Sequence, residues 1–120
     1  MSSSYSLKIS SNYTNIDDIT KALSIYPTST ECGWEYSIDE HSDLYSDAIN
    51  NILNLLEGKM DLLKEAGVQE DDISMWFLYE YENQCNMEFL PKDLKRIGKL
   101  GITLCISCWE KDSSIVFDSL

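Results

Sequence analysis

Four cysteines, one histidine and two closely spaced glutamates are the side chains in this 120-residue chain from which chemistry can be built. Cys105-x-x-Cys108 has the spacing of a zinc or redox pair. It falls in residues 102–110, which read as a strand, and residues three apart on a strand point to opposite faces. A shared metal or a redox centre needs both sulfurs on one side, from a turn or a helix start. Together with Cys32 and Cys85, the pair therefore reads as free thiols. His41 stands in Asp39-Glu40-His41-Ser42-Asp43, where oxygens and an imidazole for a cation are present. So short a loop lacks the spacing of any known cation site, and an exposed histidine in a helix-entry loop is expected. Glu80 and Glu82 fall on one strand face, roughly 7 Å apart from the rise per residue. That separation suits paired-carboxylate chemistry, yet the sequence argues for no base, metal partner or groove beside them. No glycine-rich phosphate loop, zinc-protease helix or nucleophile elbow occurs. Neither an enzyme nor a metal or other cofactor is expected.

Charge points instead to binding. The formal net charge is −12, and residues 31–82 hold fourteen acids against Lys59 and Lys64, whereas the segments on either side are balanced. A field this one-sided repels nucleic acid and anionic membranes and steers basic proteins inward. The acids offered to such a partner are Glu35, Asp39, Glu40, Asp43, Asp47, Glu70, Asp71, Asp72, Glu80 and Glu82, with Trp76 and Tyr81 as aromatic anchors. An acidic surface that serves solubility alone is the competing explanation.

The elements that must position these residues follow from periodicity. Residues 73–82 are the densest run of strand formers: Ile73, Met75, Phe77, Tyr79 and Tyr81 make one apolar face that belongs in a core. The other face begins with Ser74, Trp76 and Leu78 and turns acidic at Glu80 and Glu82. Residues 5–9 alternate as a half-buried strand, and a short helix follows, capped by Asn15 and finished by Tyr26 ahead of Pro27. Residues 34–39 form a second strand with Trp34, Tyr36 and Ile38 inward, and Ser42 can cap what comes next. Residues 43–66 carry the longest helical signal, an apolar stripe from Tyr45 to Leu63 opposed by a solvated polar face of Asp43, Asp47, Asn50, Asn54, Glu57 and Asp61. Gly58 sits inside it as a place to kink or split. After residues 73–82, Asn83, Gln84 and Cys85 make a turn and residues 86–90 its hairpin partner. Pro91 opens a helix that closes at Gly101, and residues 102–110 give the last strand. Residues 111–120 read as a tail, in which Ile115-Val116-Phe117 offers a short edge strand.

One domain over residues 1–120, with its core in 5–110, is therefore expected. The class is α+β, in the order β-α-β-α-β-β-α-β: a mostly antiparallel sheet of about five strands with helices packed on one face. A chain of this length buries roughly two thirds of the surface of its unfolded form. The first residues, Met1-Ser2-Ser3-Ser4-Tyr5-Ser6, lack a basic start and an apolar run, so no secretory signal is expected and the cytoplasm is the expected location.

Three stretches resemble the bacterial family called domain of unknown function 4279. Residues 19–28, Ile-Thr-Lys-Ala-Leu-Ser-Ile-Tyr-Pro-Thr, resemble its helix end running into Pro-Thr. Residues 34–38, Trp-Glu-Tyr-Ser-Ile, resemble its tryptophan-bearing strand before a long helix, and residues 94–109, with Leu-Gly-Ile at 100–102, its closing helix and strand. The link from Pro27 to Trp34 is shorter here than in that pattern. The resemblance implies the fold and no catalytic residue. Small acidic proteins of this kind also resemble immunity partners of contact-dependent and polymorphic bacterial toxins, which implies a cognate basic toxin, commonly a nuclease, as partner. A self-associating structural module and a nucleic-acid mimic that blocks a host protein are the alternatives.

Overall fold

A computed structural model of the protein describes residues 3–12 and 15–111. Among the described residues, four strands and four helices follow one another as β1 (Ser4–Ile9), α1 (Ile16–Leu23), β2 (Trp34–Asp39), α2 (Ala48–Leu56), α3 (Met60–Glu65), β3 (Ile73–Tyr81), α4 (Pro91–Leu100) and β4 (Thr103–Glu110). Single 3-10 turns at Tyr45–Asp47 and Glu70–Asp72 lead into α2 and β3.

The sheet runs β2-β1-β3-β4. β1 is antiparallel to both of its neighbours, with Leu7 between Tyr36 and Met75. β3 and β4 are parallel, with Phe77 opposite Ile106. The sheet is thus mixed and four-stranded, where a mostly antiparallel sheet of about five was expected. The chain between β3 and β4 contains a whole helix, long enough for the crossover that a parallel pair requires. Residues 86–90 form no strand; they run into α4 with Phe89 packed edge-on to Phe77, ring centres 6.1 Å apart. The expected edge strand at Ile115-Val116-Phe117 lies outside the described residues, as does the tail from 112 onward.

The helices bury their apolar stripes against one face of the sheet. Ile19 and Leu23 of α1, Ile52, Leu53 and Leu56 of α2, Leu63 of α3 and Ile97 of α4 close over Leu7, Ile9, Trp34, Ile73 and Met75. Asn15 precedes α1 without its side chain capping the helix's own amides. Its amide nitrogen donates to the Ala66 carbonyl at the end of α3, 3.3 Å away, and so docks one helix on another. The expected long helix is two helices, because Gly58 takes φ +80°, a left-handed backbone that turns α3 away from α2. Ser42 accepts the Leu44 N–H at 3.1 Å and starts the 3-10 turn before α2. No described helix is long and apolar enough to cross a membrane.

Candidate functional site

The apolar face of β3 changes character along its length. Ile73 and Met75 are buried under helices, but Tyr79 and Tyr81 are only half-buried, because the helical layer stops short of them. The face expected to be core throughout is core for its first half only. Its second half is a row of stacked rings: Tyr5 lies on Phe77 at 4.4 Å and 9° from parallel, Phe77 stacks on Tyr79 at 5.3 Å, and Tyr79 on Tyr81 at 6.5 Å. Tyr45, brought in by the 3-10 turn, tilts against Tyr5 at 5.4 Å. Beside them is a cleft of about 290 Å³, bounded by Tyr5, Tyr45, Asp47, Asn50, Leu90 and Asp93.

Acids rim this aromatic shelf. The Ser3 backbone N–H donates to Glu40 Oε1 at 2.9 Å and its carbonyl accepts the Glu40 N–H at 3.0 Å, while its hydroxyl accepts the Glu80 N–H at 3.2 Å. Ser3 thereby fixes the chain around Glu40 to the end of β3. Burial, and next the phenol of Tyr45, pushes Tyr5 up to about 12. Burial also raises Tyr45; the Ser3 hydroxyl opposes this, and Glu40 and Tyr79 add to it. Both phenols are therefore neutral at physiological pH. They present flat, amphipathic rings, the surface that protein interfaces favour in tyrosine, with faces able to take a cation.

The acids and aromatics singled out from sequence divide into three places. Glu40, Asp43 and Asp47 lie in the loop and turn that carry Tyr45, with Asp39 just before them at the end of β2. Asp39 accepts the His41 N–H, and Asp47 accepts from the Asn50 amide. Tyr81 and Glu82 stand at the same end of the sheet, where Glu82 pairs with Lys111 at 3.3 Å. Glu70, Asp71 and Asp72 sit at the other end of β3, roughly 26 Å away by the rise per residue. Asp72 accepts the Gln69 N–H and Glu70 pairs with Lys64, so these two have local partners. Glu70 is held below the usual carboxylate range by its own backbone N–H and then by Lys64.

Glu35, Trp76 and Glu80 occupy the sheet face turned away from the helices. There Ser6 shares a 2.8 Å hydrogen bond with Ser37, and Ser37 donates to Glu35. Lys8 lies 4.4 Å over the Trp76 ring, whose N–H donates to Ser74. Trp76 already holds a cation of its own chain, and Tyr81 faces the opposite way, so the two expected anchors cannot serve one contact.

Cys105 and Cys108 point to opposite faces, across from Trp76 and Tyr79. The neighbour of Cys108 is Cys85, whose thiol is pushed up by burial and then by hydrogen bonding to Cys108. Among the described residues no three histidine, cysteine or acidic side chains converge to hold a metal ion.

Sequence reasoning missed Tyr5, Tyr45 and Phe89, because an alternating Tyr/Phe pattern is the same for a core and for a shelf. It also missed Arg96, which bonds Asn50, Asn54 and Glu57 along the polar face of α2.

Fold and site together define an α+β protein with an acid-rimmed aromatic surface. No family model matches the chain, and no curated protein or solved structure matches it.

Proposed function

We propose that this protein is an acidic immunity protein that binds and neutralises a basic bacterial toxin domain, the partner implied by the resemblance of its sequence, and that the aromatic shelf is where the two meet. The observation that carries this reading is the set of half-buried tyrosines Tyr5, Tyr45, Tyr79 and Tyr81, stacked around the buried ring of Phe77 and bordered by Glu40 and Asp47. Rigid tyrosines supply contact area at low entropic cost, and the surrounding acids steer a basic surface towards them. Arginine or lysine side chains of the partner would lie on the ring faces with their charge against the rim. Glu35, Glu70, Asp71 and Asp72 contribute to the long-range field and not to the contact.

The test is co-expression of the tagged chain with the reading frame encoded directly upstream, capture, elution in steps of rising salt, and a toxicity assay. One basic protein, captured in a salt-sensitive complex and made harmless by it, is the expected result. Reversal of Asp43 and Asp47 to lysine should slow association about tenfold at low salt, as should reversal of Glu40 and Glu82. Tyr45→Ala should act on dissociation. No binding by the neighbour overturns the toxin reading; wild-type association kinetics in the fourfold reversal overturns the placement of the surface.

A further inference from the structure

The two edges of the sheet are treated differently. β2 is covered: Thr28 and Ser29 both donate to the Glu35 carbonyl, the Glu35 N–H returns to Ser29 at 3.0 Å, and the Ser37 N–H donates to the Thr28 hydroxyl at 2.9 Å. Its outer side chains include Glu35 and Asp39, and it is six residues long. Among the described residues β4 has none of this. It is eight residues long, with no charge before Glu110 and no proline, and no described strand or loop pairs with its outer side. Ile106 in its middle is 45% exposed. Sheet edges left bare invite another strand, and proteins that must stay alone blunt them with charge, proline or a covering loop.

We infer that β4 is a self-association edge, pairing with β4 of a second copy about a two-fold axis to join two four-stranded sheets into one of eight. A two-fold axis makes the new pair antiparallel and self-complementary. Charge decides for a second copy over a basic partner. The excess of acids lies in residues 31–82, and residues 103–109 carry no charge, so two copies with −12 each meet where they repel least. A basic partner gains nothing at a neutral strand. Centred on Ile106, the pairing sets Leu104 opposite Cys108 and Thr103 opposite Trp109, and it holds the two copies of Glu110 at opposite ends of the ladder. In this pairing Tyr79 and Tyr81 stay one strand in from the joined edge, opposite Cys108 and Glu110.

Sedimentation equilibrium of the full chain, from micromolar to submillimolar concentration, tests this. The expected mass is twice the 13.8 kDa of one chain, and amide exchange in residues 103–110 slows as concentration rises. Ile106→Lys places two ammonium groups against each other at the axis, and the mass should fall twofold with an unchanged circular dichroism spectrum. Leu94→Lys, which removes an equally exposed apolar side chain from α4, should leave the dimer intact. A wild-type chain that stays monomeric overturns the inference, and so does a dimer that survives Ile106→Lys or is lost with Leu94→Lys.

Discussion

Arg96 of α4 grips Glu57, the residue that ends α2, with two parallel hydrogen bonds, Nε to Oε2 at 2.9 Å and Nη2 to Oε1 at 2.7 Å. The same guanidinium donates to Asn50 at 2.8 Å and Asn54 at 3.0 Å, so three residues spaced by four and three along α2 converge on one side chain. Only a planar fork meets all these acceptors, and an ammonium does not. Arg96→Lys should therefore destabilise nearly as much as Arg96→Ala. A double-mutant cycle with Glu57→Gln should give a coupling of about 1 kcal/mol, since both partners are partly exposed and water screens them. Urea midpoints of the four proteins measure it; a coupling of zero means the contact is ornamental.

The ion pair also sets a pH dependence. Hydrogen bonding from Arg96 holds the Glu57 carboxyl below its ordinary 4.5. A carboxyl with a lower value folded than unfolded stabilises the fold fully above its unfolded value, and that contribution disappears as pH falls through the folded one. Stability should decline as the solution is acidified below 4.5, and Arg96→Ala should flatten the decline. Glu70 is depressed in the same sense, by its own backbone N–H and then Lys64, so a residual slope remains. Equal slopes in wild type and Arg96→Ala remove Glu57 from the account.

Two glycines separate backbone need from helix propensity. Gly58 has open space where a Cβ would go but takes φ +80°; Gly98 also has open space and lies within α4. Gly58→Ala should cost about 1 kcal/mol through backbone strain, and Gly98→Ala should stabilise by roughly 0.5–1 kcal/mol. Opposite shifts in thermal midpoint are the expected result. A stabilising Gly58→Ala contradicts the split between α2 and α3.

These contrasts show where sequence stops informing structure. The four strands, α1 and α4 were legible because period, caps and breakers agree: Pro27 follows α1, while Pro91 begins α4 and Gly101 ends it with φ +73° ahead of β4. Side-chain alternation fixes which face a residue takes but not which strand lies alongside or in which direction, so the parallel β3–β4 pair was invisible. Residues 86–90 alternate like a strand, yet Phe89 packs on Phe77 and Pro91 starts a helix, and tertiary packing overrides the pattern. The polar stripe of α2 was legible as a surface, and its residues Asn54 and Glu57 are exposed; its partner Arg96 was not legible, because it lies 39 residues beyond Glu57. For the shelf, the acids were visible as composition, but only the fold places Glu40 and Asp47 beside Tyr45 and leaves Glu70 at the far end of β3.

Trp34 offers the sharpest test of the core itself. It is 1% exposed, and its indole N–H donates to Thr20 Oγ1 at 3.0 Å, while the Thr20 hydroxyl donates to the Ile16 carbonyl at 3.1 Å. Thr20→Val keeps the volume and the branching and removes the acceptor, which leaves the indole N–H buried without a partner at a cost of about 1–3 kcal/mol. Trp34→Phe removes the donor and opens a cavity, a loss of a different kind. In the Trp34→Phe background, Thr20→Val has no donor left to strand, so its cost should shrink. Chemical denaturation of the four proteins measures the non-additivity. If Thr20→Val costs as much with phenylalanine at position 34 as with tryptophan, the hydrogen bond does not hold α1 to β2, and apolar contact alone does.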